Sequence, residues 1–94
     1  MKQTHTFKLS VEVDDKDGRV IAVFFRVREG RPARAREFAN GAAFAHYNNR
    51  GELLGIELLS PCQITVLDKI VGKDSAVRKF VRNTIPNAML AAAA

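Results

Sequence analysis

Thr6-Phe7-Lys8-Leu9-Ser10-Val11-Glu12-Val13 alternates without a break, with Phe7, Leu9, Val11 and Val13 on one side and Thr6, Lys8, Ser10 and Glu12 on the other. A period of two marks a half-buried strand, because successive side chains leave a pleated backbone in opposite directions. Asp14-Asp15-Lys16-Asp17-Gly18 follows, supplying turn formers and a glycine able to take positive φ. Arg19 to Arg28 then resumes strand chemistry with Val, Ile and two Phe, so the two segments read as a β-hairpin. On its second strand Ile21, Val23, Phe25 and Val27 face one way, and Val20, Ala22, Phe24, Arg26 and Arg28 the other.

Beyond this hairpin, Glu29-Gly30-Arg31-Pro32 reads as a turn and Ala33 to Ala39 as a weaker, alanine-bearing strand suited to an edge. A three-residue loop with left-handed Gly30 would set Arg26 opposite Arg34 and Phe24 opposite Arg36. Arg26, Arg28, Arg34 and Arg36 would then share one wet face, since a one-residue slip would turn Arg34 and Arg36 toward the core. Asn40-Gly41 closes that hairpin. Ala42 to Asn48 and Glu52 to Leu59 form the next one, joined through Asn49-Arg50-Gly51 with Gly51 left-handed. With Asn48 opposite Glu52, the expected core face holds Ala42, Phe44, His46, Leu54, Ile56 and Leu58.

Ser60-Pro61 ends the last of these strands, since proline lacks a ladder donor. Gln63 to Val71 fits either a short sixth strand or a turn of helix. Lys73-Asp74-Ser75 offers a capping residue before Ala76, Val77, Phe80, Val81 and Ile85, whose spacing predicts an amphipathic helix over about 75–85, with Arg78, Lys79 and Arg82 on its wet side. Pro86 stops it, and in the tail 86–94 the closing Ala91 to Ala94 is expected to fray or to extend the fold through contacts alone.

The chain has 94 residues, 47% hydrophobic and 27% charged, which fits one folded domain over 1–94 and argues against disorder and low-complexity repeats. No apolar run is long enough to span a membrane. The first residues lead into the alternating strand without an apolar leader, and the single cysteine, Cys62, has no internal partner for a disulfide. A cytoplasmic location is therefore expected.

The net charge of +5 is uneven: Arg26 to Arg36 holds five arginines against Glu29 alone, and Lys73 to Ala94 four basic residues against one acidic. Such clusters attract phosphate backbones or acidic protein surfaces, and they also suit a solvated face that keeps a small basic protein soluble. Arg26, Arg28, Arg34, Arg36, Arg78, Lys79 and Arg82 are the candidate binding residues, for an acidic protein partner or for nucleic acid, with Phe24 nearby and Tyr47 elsewhere to stack on bases. The alanine-rich second face and an edge strand favour self-association or a protein partner, and no signature of a known RNA-binding module is present.

Catalytic chemistry finds little purchase. The best nucleophile pair would be Cys62 with His46, and a structural role for both is the expected one. Asp14, Asp15 and Asp17 put Val13 and Phe24 where a calcium loop needs ligands, so the turn explains them better, and no metal or cofactor is expected.

The hairpin Ala43-Phe44-Ala45-His46-Tyr47-Asn48-Asn49-Arg50-Gly51-Glu52-Leu53-Leu54-Gly55-Ile56-Glu57-Leu58-Leu59 resembles the bacterial family called domain of unknown function 2283, whose members end such a hairpin in Gly-x-x-x-Gly-Ile-Glu-Ile/Leu. Gly51, Gly55, Ile56, Glu57 and Leu58 stand in those places, with Ser60-Pro61 as the exit and looser similarity back to Lys8. The resemblance implies a small, mostly antiparallel β protein and no activity. Some members look like the smaller partner of two-gene systems similar to toxin–antitoxin pairs, an analogy that carries no residue role.

These readings converge on an α+β domain: an antiparallel β-meander of about five or six strands over about 6–71 with one C-terminal helix. The expected function is that of a non-catalytic, cytoplasmic, homodimeric interaction module with an acidic protein partner, antitoxin-like by the resemblance above. The alternative is nucleic-acid binding through the arginine-rich sheet face.

Overall fold

A computed structural model describes residues 4–91. The fold is α+β. Strands β1 (Lys8–Val13), β2 (Val20–Arg26), β3 (Arg34–Phe38), β4 (Ala43–Tyr47) and β5 (Leu53–Leu58) form one antiparallel sheet, and helices α1 (Ile64–Val71) and α2 (Ser75–Thr84) follow it. Three consecutive strands, β3 to β5, make a meander. The order across the sheet is β1-β2-β5-β4-β3, so the expected hairpin between the second and third strands is not formed. The chain leaves β2 and passes the ends of β5 and β4 to reach the far edge, held by Val27 and Arg28 N–H donating to the Leu54 carbonyl and by Ala33 N–H donating to Tyr47.

Burial and charge explain the order. β5 is the most buried strand, and at the centre it holds Ile56 and Leu58 completely enclosed between Phe25 and Val23 of β2 and Ala45 and Ala43 of β4. Arg34, Arg36 and Glu37 give β3 a chemistry that only an edge tolerates, because charges on an edge reach water. Pairing β3 with β2 would also have stacked like charges across the ladder.

A bulge decides which residues meet the helices. Tyr47 pairs with Leu53 and His46 with Gly55, so Leu54 is an extra residue in β5. One inserted residue reverses the phase of everything beyond it. The core side of β4 is therefore Ala43, Ala45 and Tyr47, not Ala42, Phe44 and His46, and Leu54 leaves the expected core row to pack beneath Gly30 on the other side. A Cβ on Gly30 would lie 2.9 Å from Leu54 Cδ2, so the connecting loop owes its close approach to that glycine.

The stretch left open between strand and helix is helical. Ile64, Leu67, Ile70 and Val71 recur at helical spacing, Leu67, Ile70 and Val71 are buried, and Gly72 ends the helix at φ +69°. Asp74 caps α2 by accepting from Val77 N–H at 3.1 Å, a contact of about 1 kcal/mol in typical proteins. α2 buries Val77 and Val81 and sets Phe80 edge-on to Phe25, with ring centroids 6.0 Å apart.

The tail is anchored as far as Ala91. Asn87–Met89 makes a 3-10 turn, Met89 is buried in the core, Cys62 N–H donates to the Met89 carbonyl at 3.0 Å and Ala91 N–H donates to the Cys62 carbonyl at 2.9 Å. The rest of the tail, 92–94, lies outside the described residues.

Two positions test this arrangement. A Cβ on Gly55 would meet Phe24 Cζ at 2.6 Å and the Phe25 carbonyl at 2.8 Å, so Gly55→Ala should lower stability by about 1–3 kcal/mol in urea unfolding. Asp68 joins the helices through Arg82, whose hydrogen bond holds its carboxyl below the ordinary aspartate value of 3.8. Its stabilising effect is complete above that value and fades as pH falls through the lower folded one. Asp68→Asn should therefore be less stable than the parent at neutral pH, with the gap closing below about pH 4.

Candidate functional site

The expected four-arginine face does not exist, because β3 lies at the far edge from β2. Arg26 projects from the side away from the helices, 5.8 Å from the Phe24 ring and 3.6 Å from Glu29. Arg28 follows β2 and donates to the Leu53 carbonyl at 3.1 Å. Arg34 and Arg36 pair with Tyr47 and Ala45, which places them on the helix side, the phase that would have been costly in a central strand. At the edge both stay exposed. Two of the three helix cations are engaged: Asp68 accepts from Arg82 at 2.6 Å and sits 3.6 Å from Arg78 Nε, while Arg78 also donates to the Gly72 carbonyl. Lys79 is exposed and joins no ion pair among the described residues.

What remains is a smaller basic site on one sheet edge. Arg34, Ala35, Arg36, Tyr47 and Gly51 line an open cavity of about 350 Å³. The Arg34 guanidinium lies against Gly51, and Arg36 sits 5.3 Å from the centre of the Phe38 ring. Neither arginine has a carboxylate partner among the described residues. Two guanidiniums one pleat apart beside a phenol can receive carboxylates or other anions with charge-assisted hydrogen bonds.

The opposite edge differs in kind. Phe7, Leu9, Val11 and Val13, which the alternation assigns to a buried face, are 39%, 38%, 43% and 47% exposed. They lie on the helix side, but the helices stop short of covering them. Phe7 stacks on Phe80 of α2 with ring centroids 4.6 Å apart. Ile21 and Leu59 extend the exposed apolar surface, beside a groove of about 600 Å³ lined in part by Val20, Pro61 and Met89. Alternation could not reveal this, since it reports a two-faced strand and not whether anything lies against the apolar face.

His46 and Cys62 are separated by the sheet. His46 is on the side away from the helices, its ring 6.0 Å from Phe24 and Nε2 3.5 Å from Glu57, so the expected core position for it is wrong. Cys62 is buried among the helix-side core residues, and burial raises the pKa of its thiol. The acidic turn is internally satisfied, with Asp14 Oδ1 accepting from Lys16 N–H and Asp17 Oδ1 from Arg19 N–H. Among the described residues no group of three or more His, Cys, Asp or Glu could hold a metal ion, and no helix is long and apolar enough to cross a membrane.

Comparison with protein-family models, curated proteins and solved structures yields no match.

The burial of Cys62 predicts slow alkylation by iodoacetamide at neutral pH in the native protein and fast alkylation in urea. Native labelling as fast as that of a free thiol would show an activated or accessible cysteine.

Proposed function

We propose that this chain is a non-catalytic interaction module that works as a homodimer and offers the Arg34–Arg36 edge to an acidic protein partner. The observation that carries the reading is the contrast between the two edges of one sheet. β1 and the Phe7 just before it expose a row of four large apolar residues, which water disfavours and a second surface would cover. β3 exposes two unpaired guanidiniums, which resist edge-to-edge pairing and attract negative charge.

The buried Cys62 and the separation of His46 from it support a non-catalytic role. A reducing cytoplasm suits the lone thiol. The hairpin similar to domain of unknown function 2283 favours the smaller-partner, antitoxin-like reading by analogy alone. Nucleic acid is the weaker alternative, because Phe24 and Arg26 lie on the other face from Arg34 and Arg36, and the aromatic rings beside those two arginines, Tyr47 and Phe38, are themselves partly buried.

Size-exclusion chromatography with light scattering at tens of micromolar should give about twice the 10.4 kDa chain mass, and a clean monomer would overturn the dimer. Polyglutamate should bind at low salt and lose affinity in Arg34→Glu/Arg36→Glu. Stronger binding of a single-stranded oligonucleotide, with affinity falling steeply as salt rises, would favour nucleic acid instead.

A further inference from the structure

We infer that the second copy docks edge to edge along β1, as an antiparallel β1–β1 pair centred on Ser10 that merges two five-stranded sheets into one. The inference rests on the self-association reading above and supplies its register.

β1 ends the sheet, so one side of its backbone has no ladder partner. Its pairing with β2 is regular from Lys8↔Arg26 to Glu12↔Ala22, and the irregularity falls only between Glu12 and Val13. A regularly paired five-residue segment with Ser10 at its midpoint is thus available for pairing.

The side chains select the register. In an antiparallel pair related by a two-fold axis, residues equally far on either side of the centre face one another. Centred on Ser10, Lys8 of each copy faces Glu12 of the other on the side away from the helices. On the helix side Leu9 faces Val11 and Phe7 faces Val13, again twice over. Shifting the centre to Leu9 leaves Lys8 opposite Ser10 and Val13 opposite His5. Shifting it to Val11 leaves Glu12 opposite Ser10 and Phe7 opposite Asp15. A centre between residues sets apolar against polar throughout. Of these registers, only the Ser10 centre matches both charges of the strand and all four apolar residues.

The other edge lacks this self-complementarity. Pairing β3 with itself about Ala35 would set Arg34 against Arg36, and about Arg36 would set that residue against itself. In the β1 pair the two-fold axis runs through the sheet, so both helix layers lie on the same side. The exposed apolar rows then become neighbours, and the basic edges stand at opposite ends of the merged sheet.

The test uses the full chain with Cys62→Ala as background. Paired strands hold facing Cα atoms about 4.5–5.5 Å apart, within disulfide reach. Ser10→Cys should therefore give a covalent dimer on mild oxidation, read on a non-reducing gel, with circular dichroism confirming the fold. Separately, Lys8→Glu and Glu12→Lys should each raise the dimer Kd at least about fivefold. Combining the two reversals should restore it. A dimer whose Kd neither reversal changes and that Ser10→Cys does not cross-link would overturn the β1 pairing while leaving self-association intact. A monomer under all conditions would overturn both.

Discussion

The extra residue Leu54 in the central strand is the constraint on which the two faces of the sheet depend. It sets the phase between β4 and β5, so that Ala43 and Ala45 meet the helices while Phe44 and His46 turn away. With small alanines on that side of β4, the core is filled from elsewhere. Phe25, Ile56 and Leu58 supply its bulk from the sheet, and Leu67, Val77, Val81 and Met89 close it from the helices. Leu54 itself stays out of water because the β2–β3 connection, with Gly30 at the contact, folds over it. One insertion thus fixes the core side of β4 and the position of His46.

The helix layer is narrower than the sheet. α1 and α2 are short, of eight and ten residues, and Asp68 clamps them together through Arg82 and Arg78. They cover β2, β5 and β4 and leave both edge strands exposed on the same side. The two edges have opposite chemistry, one apolar and one cationic, so the polarity of the molecule runs across its sheet. A binding module can use such an arrangement to keep self-association and partner recognition on separate surfaces.

Much of the fold was legible before any coordinates. The first hairpin, the β4–β5 hairpin with Gly51 at φ +81°, the α2 helix with its Asp74 cap and the stop at Pro86 all follow from local patterning. The candidate site was less legible. The arginine face depended on which strand β2 would pair with, and that choice is made by competition among distant segments. The apolar stripe in α1 could be read from Leu67, Ile70 and Val71, but an incidental alternation of Ile64 and Val66 competed with it over so short a window.

The amino-acid order by itself determined the five strands, the α2 helix, the turns after β1 and β4, the apolar row that begins at Phe7 and the concentration of arginine between Arg26 and Arg36, because these are properties of neighbouring residues. Only the tertiary structure decided that β5 separates β2 from β4, that the arginines divide between two faces, and that the row of β1 is left uncovered. The physical reason is that burial and strand pairing belong to pairs of segments far apart in the chain. A strand's periodicity states which face is apolar, and the extent of the helices packed on the sheet states whether that face meets water.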